Sequence, residues 1–180
     1  MEFDEVIKAR KSIRNFNVKD RIIDDETIKQ IVEAGRCAPS ARNRQPWMYY
    51  VTKGKEKAKI ANILREEVKL GQMEDTGLTS ARLIDECQVF ILAFVRTGDY
   101  YFHTDMLSMG ASVENIVLKA IDLGIGTLWV SDVVSAKTAL KKEFDESGMV
   151  AAGICLGYTS KPSFSPPKKQ LNEIMIIKKE

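Results

Sequence analysis

Histidine is almost missing from this sequence: His103 is the single one in 180 residues. A Ser-His-Asp hydrolase or a histidine-based metal centre has little to work with, and His103 itself reads as a surface or helix-start residue. Cysteine is scarce too. Cys37, Cys87 and Cys155 stand far apart with no C-x-x-C, which excludes a zinc or iron–sulfur site built on cysteines. Cys155, within the run Ala151–Gly157, reads as a small buried hydrophobe. No G-x-x-x-x-G-K-[ST] element occurs. Gly124 and Gly126 begin a dinucleotide-like pattern, but Trp129 holds the third glycine position, and the pair follows a helix and precedes a strand. No apolar run is long enough to span a bilayer, because Asp105, Glu114, Asn115, Lys119 and Asp122 interrupt the longest apolar helix. The first residues lack the basic-then-apolar pattern of an export signal, so a cytoplasmic location is expected. Charge of one sign is not massed either: 27 Lys and Arg balance 25 Asp and Glu, for a net charge of +2. With no basic stripe studded by aromatics, nucleic acid is not an expected partner.

What is present is an ordinary globular composition, 44% apolar and 29% charged, in a length suited to one domain. Helical spacing of Phe3, Val6 and Ile7 predicts a first helix whose face also carries Arg10. Asp24 or Asp25 caps a second helix that ends near Gly35. A strand over Met48–Thr52 and a helix over Glu56–Val68 follow. Leu70–Ser80, with Gly71 and Gly77, reads as an irregular loop or short lid. Val89–Val95 is a continuous apolar run and therefore a central strand covered on both faces. Between Asp99 and Gly124 lies a helix whose apolar side chains exceed one stripe. At ~30 Å it needs more cover than one domain offers, and a dimer interface supplies it. Thr127–Val130 reads as a strand, Ser135–Phe144 as a helix and Met149–Tyr158 as a strand. Ser163–Lys169 should be extended, and Leu171–Ile177 forms a last edge strand. The class is α+β, a central sheet wrapped by helices.

Two clusters carry chemistry. Ala38–Trp47 reads A-P-S-A-R-N-R-Q-P-W, a stiff polar segment that is either an ordinary structured loop or one whose Ser40, Asn43 and Gln45 read polar edges. The segment Arg10, Lys11, Ser12, Arg14 offers guanidinium forks and a hydroxyl suited to a phosphate, or a basic helix end that complements the helix dipole. Arg42 and Arg44 either favour an anionic acceptor or simply face solvent. Asp105, near the start of the long helix, either complements its dipole or orients a ligand. The pairs Asp24–Asp25 and Glu66–Glu67 fall on polar helix faces and carry no acid–base role.

Together these elements resemble the nitroreductase family of FMN-dependent oxidoreductases. The R-x-S-x-R element at Arg10, Ser12 and Arg14, the complete A-P-S-x-x-N-x-Q-P-W loop, the helix ending L-G-I-G-T-L-W-V at Leu123–Val130 and the basic pair Lys168 and Lys169 occur in the family's order. The resemblance implies one FMN-binding domain over residues 1–180 with a mainly antiparallel sheet, in a homodimer whose long buried helix lies at the interface. Arg10, Lys11, Ser12 and Arg14 would then hold the FMN phosphate and ribityl chain, with Lys168 or Lys169 adding charge. Pro39, Ser40, Asn43, Gln45 and Ser108 would contact the flavin, some from the second subunit, while Thr127, Leu128 and Trp129 line its ring. NAD(P)H would reduce the flavin, and a nitroaromatic, quinone or flavin would reoxidise it in ping-pong turnover. No catalytic side chain and no metal are expected. A non-catalytic FMN-storage dimer, or a specialised relative such as a reductive dehalogenase, are the alternatives.

Overall fold

Val89–Val95 (β2) has no polar residue, and all seven of its side chains are buried. Such a strand must be covered on both edges and both faces. The computed structural model, which describes residues 1–161 and 163–178, meets that demand with a four-stranded sheet. Trp47–Thr52 (β1) and Met149–Gly157 (β4) flank β2, and Gly126–Val130 (β3) lies outside β4, giving the order β1-β2-β4-β3. All three pairings are antiparallel, as the family resemblance implies.

Alternation along β2 splits the core in two. Phe90, Leu92 and Phe94 point to one face, where Gly54–Lys69 (α3), Thr76–Glu86 (α4) and Lys137–Phe144 (α6) bring Leu64, Ile84 and Leu140. Val89, Ile91, Ala93 and Val95 point to the other, where Asp25–Arg36 (α2) and Phe102–Asp122 (α5) bring Ile31, Val113 and Ile116. A fully buried large apolar side chain contributes about 1.5–3 kcal/mol. An exposed ion pair such as Lys29–Glu26 contributes about 0–1 kcal/mol, so the two apolar layers dominate stability.

Phe3–Ala9 (α1) precedes the sheet, and Asp24 caps α2 by accepting the Thr27 amide at 2.7 Å. Helix α2 lies close on α5 because Gly35 has no side chain. A Cβ there would sit 2.7 Å from Ile116 Cγ1, and the Gly35 carbonyl accepts from Ser112 Oγ at 2.6 Å. Asn115 Nδ2 donates to the Ala34 carbonyl at 3.1 Å beside it. This contact fixes where the polar segment after α2 begins.

Three expectations are corrected. Leu70–Ser80 is not a loop to its end, since α4 begins at Thr76. Gly77 is there for packing: a Cβ would lie 2.2 Å from Met73 Sδ and 2.8 Å from Val68 Cγ2. Leu171–Ile177 is not an edge strand. Leu171–Ile174 (α7) is a short helix whose Glu173 accepts from the Gln170 amide at 2.6 Å. Arg10 does not share the α1 face, because the helix ends at Ala9 and Arg10 is extended. Of the α1 stripe only Val6 is buried, while Phe3 is 69% and Ile7 49% exposed.

Gly35→Ala is expected to cost about 1–3 kcal/mol in urea denaturation through overpacking against Ile116. Adding Ile116→Val should make the double variant less destabilised than the sum of the two singles, since both changes act on one contact.

Candidate functional site

After α1 the chain straightens and runs along the outer strand. Ser12 forms a parallel bridge with Thr127, and the Ile13 amide donates to the Thr127 carbonyl at 2.8 Å. Gly126 permits this approach, because a Cβ there would lie 3.0 Å from Ile13 Cγ1 and from the Gly157 carbonyl oxygen. The basic element is thereby laid beside Thr127, Leu128 and Trp129.

Three neighbouring cavities follow this seam. One of about 480 Å³ is lined by Ser12, Arg14, Asn15, Thr159, Lys161 and Phe164, among others. A second, about 320 Å³, has Arg14, Thr76, Ser80, Leu128, Trp129 and Asp132 in its wall. A third of about 230 Å³ touches Lys11, Ile13 and Thr127. Arg14 is common to the first two. Trp129 keeps 42% of its surface exposed although it belongs to a strand. Asn15 Oδ1 is buried and, among the described residues, is the only buried side-chain oxygen or nitrogen without a hydrogen-bond partner. Such an orphan acceptor is costly unless a donor arrives from outside the chain. Arg10 turns toward α5 instead. Burial pushes the Glu114 carboxyl up, and the Arg10 charge opposes that rise.

Sequence reasoning did not include Thr76, Thr79, Ser80, Ser131, Asp132, Asn15, Thr159 or Lys161 among these residues. Ser80 Oγ donates to Asp132 Oδ2 at 2.6 Å, joining the start of α4 to the segment after β3. A signal was available: Thr76, Thr79 and Ser80 recur at helical spacing, but a loop assignment hides that period.

The polar segment Ala38–Trp47 stands elsewhere. It turns through a single 3₁₀ turn at Ala41–Asn43, with Arg42, Asn43 and Gln45 at φ of 53°, 53° and 48°. Each left-handed non-glycine residue costs roughly 1–3 kcal/mol and needs support. Ser40 Oγ accepts from the Gln45 amide at 3.0 Å, and the Ala41 amide reaches Ser108 Oγ at 3.4 Å. Ser108 in turn donates to the Thr104 carbonyl at 2.7 Å.

Arg44 is not the free cation that its exposed sequence context suggests. Its Nε and Nη2 reach Asp105 Oδ1 at 3.1 Å and Oδ2 at 3.0 Å, and its guanidinium stacks on Tyr101 at 4.0 Å. Thr97 Oγ1 donates to Asp105 Oδ2 at 2.7 Å. The Arg44 fork holds the Asp105 carboxyl below the usual carboxylate range against the opposing effect of burial, and Thr97 adds to it. Asp105 does lie in the first turn of α5, but its carboxylate meets a side chain rather than the helix end.

The expected ligand residues therefore fall into two groups. Ser40 and Ser108 sit near the start of α5, with Pro39, Asn43 and Gln45 exposed around them. Lys11, Ser12, Arg14 and Thr127–Trp129 gather past its other end, where the Met1 amine meets Asp122 at 3.0 Å. The thirteen helical steps from Ser108 to Ile121 span ~20 Å. Lys168 and Lys169 are exposed in the extended tail beyond Pro166 and line none of the three cavities.

Comparison with known proteins identifies the fold and the family. A protein of Archaeoglobus fulgidus, provisionally named an NADH dehydrogenase/NAD(P)H nitroreductase, is 34% identical over 126 residues, covering 70% of this chain. The aligned stretch spans 65% of that relative's length. A nitroreductase-like family protein from Bacillus cereus superposes with a TM-score of 0.82 at 18% identity, over 98% of this chain and 96% of that one. A Desulfovibrio desulfuricans protein provisionally named a nitroreductase, crystallised with FMN, gives a TM-score of 0.77 at 24% identity, covering 99% and 97% of the two chains. At such identities the two structures share the fold. The family model of the nitroreductases matches residues 7–158, from α1 to the end of β4, and the chain belongs to the nitroreductase family.

Proposed function

We propose that this protein is an FMN-dependent oxidoreductase that takes electrons from NAD(P)H and passes them to a nitroaromatic, quinone or flavin acceptor. The observation that carries the reading is the docking of the Ser12–Ile13 segment along β3, beside a cavity lined by Ser12, Arg14 and Asn15. The donor set fits the group: cations and a hydroxyl for a phosphate and polyol, an amide for a hydroxyl donor, and an open indole for a flat ring.

Ser12, Arg14 and Lys11 would hold the phosphate and ribityl chain, while Arg10 lines none of the three cavities. Lys161 and Thr159 line the same cavity and extend the set. Trp129, Leu128 and Thr127 would line the ring, and Arg14 shares a cavity with Trp129, so its positive charge would favour extra negative charge there. When bound, FMN supplies a two-electron carrier between donor and acceptor, which is why the chain needs no nucleophile or metal of its own. The side chains position, exclude water and stabilise charge. Positioning belongs to the basic segment, and the exclusion of water to Trp129 and α4.

We further infer a homodimer. One chain presents its polar loop and its basic seam at opposite ends of α5, so a second copy is the natural source of the loop at each site. The apolar surface for that contact exists: Phe3, Leu107, Leu171, Ile174, Ile176 and Ile177 are each at least 63% exposed. A groove of about 320 Å³ between α1, α2 and α5, lined by Phe3, Val6, Ala34 and Leu118, continues it.

The reading is tested by the visible spectrum of the purified protein before and after anaerobic addition of NADH or NADPH. Flavin absorption that bleaches is the expected result. Persistent bands would mark an FMN carrier, and a colourless protein that refuses FMN would overturn the assignment. Arg14→Ala should raise the FMN dissociation constant about tenfold or more, measured by fluorescence quenching, while leaving the melting temperature nearly unchanged because Arg14 is exposed. An unchanged constant would remove Arg14 from the site.

A further inference from the structure

We propose that Arg44 and Asp105 are a positioning pair that holds the Ser40–Gln45 loop in its ligand-ready shape before FMN arrives, a role that rests on the flavin reading above. Neither residue touches the cavities along β3, and each acts through the loop.

The backbone around Arg44 changes hand twice. Asn43 is left-handed at φ 53°, Arg44 returns to φ −67° and ψ −26°, and Gln45 is left-handed again at φ 48°. No glycine occupies these places, so the local sequence alone does not favour this path. Contacts within the loop are few and mostly exposed, such as the Gln45 amide on Ser40 Oγ at 3.0 Å. The charged tie to the protein body is the Arg44 fork. It ends on a carboxylate that is wholly buried, at 0% side-chain exposure, and that also accepts from Thr97 at 2.7 Å. A buried carboxylate without its cation is strongly disfavoured, so Asp105 demands the guanidinium, whereas Arg44 keeps 31% of its side chain exposed. Tyr101 completes the seat: its ring lies 4.0 Å from the Arg44 guanidinium carbon, and its hydroxyl accepts from Arg42 Nη1 at 3.1 Å.

Every anchor for Arg44 comes from Thr97–Asp105, the turn into α5 and its first residues, so the loop is tied to the most buried helix of the fold. A loop ordered in advance removes an entropic cost from ligand binding. Lysine at position 44 would keep the charge and lose the two-pronged grip.

The experiment compares the wild type, Asp105→Asn, Arg44→Lys and a control, Asp145→Asn. The control breaks the Arg96–Asp145 side-chain pair, whose carboxylate is also buried, at 7% exposure; Arg96 meets the loop only through its backbone amide, which donates to the Pro46 carbonyl at 2.7 Å and is kept in the variant. Two quantities are read on each: hydrogen–deuterium exchange of the peptide spanning residues 40–47 in the flavin-free protein, and the FMN dissociation constant. The expected result is loop exchange faster by about tenfold or more in Asp105→Asn and a matching rise in the dissociation constant, with Arg44→Lys intermediate. Asp145→Asn should lower the melting temperature and leave both quantities within about twofold. Unchanged loop exchange overturns the proposal, as does faster exchange with unchanged FMN affinity, or an equal response in the control. If Asp105→Asn does not fold, Arg44→Lys decides by the same criteria. A wild-type protein that refuses FMN refutes the flavin reading instead, while exchange in the flavin-free protein still shows whether the pair orders the loop.

Discussion

Seven consecutive apolar residues leave β2 no face and no edge to give to water, and the rest of the molecule is arranged around that constraint. Backbone groups of a buried strand must be paired on both sides, so β1 and β4 flank it. Its side chains alternate between two faces, so helices must cover both. Helix α5 is the largest piece of that cover on one face. Its length then sets the distance between the two groups of polar residues gathered at its ends.

The two ends solve different problems. At one, the absence of a side chain at Gly126 lets residues 12–13 lie against β3, which brings Ser12 and Arg14 to Thr127–Trp129 without any charge being buried. Partners there are few, and Asn15 Oδ1 has none among the described residues. That is the state of a surface kept for something else. At the other end a carboxylate is fully buried and fully engaged, by Arg44 and Thr97. Its depressed pKa means that the pair stabilises the folded state above the ordinary carboxylate pKa and is lost as pH falls through the folded value. One end is open to a ligand, and the other is closed on itself.

The sequence was most legible where the signal is local. The apolar run of β2, the Asp24 cap and the extent of α5 follow from periodicity, propensity and composition within a few residues. The R-x-S-x-R and A-P-S-x-x-N-x-Q-P-W elements were legible for the same reason, and the family match agrees with them. Failures occurred where a residue answered to something distant. Gly77 is the local exception: its packing partners, Met73 and Val68, are close in sequence, and it resembles a loop glycine because they belong to the preceding turn and helix rather than to its own helix. Arg44 resembles a solvated cation because its carboxylate is 61 residues away. Leu171–Ile177 has strand-like apolar content, yet no neighbouring strand offers a ladder, and the Gln170–Glu173 cap favours a helical turn.

By itself the sequence determined the layers, the central strand, the family and the residue types of the candidate site, because hydrophobic period and short motifs are properties of neighbouring residues. Only the tertiary structure decided which of those residues meet. It laid Ser12 on Thr127, brought Ser80 to Asp132, sent Arg44 to Asp105 and left the polar loop far from the basic seam. Contacts between residues so distant in sequence depend on how closely helices and strands can approach. That is set by Gly35 under Ile116 and Gly126 under Ile13, where a missing Cβ has meaning only once its neighbour is in place.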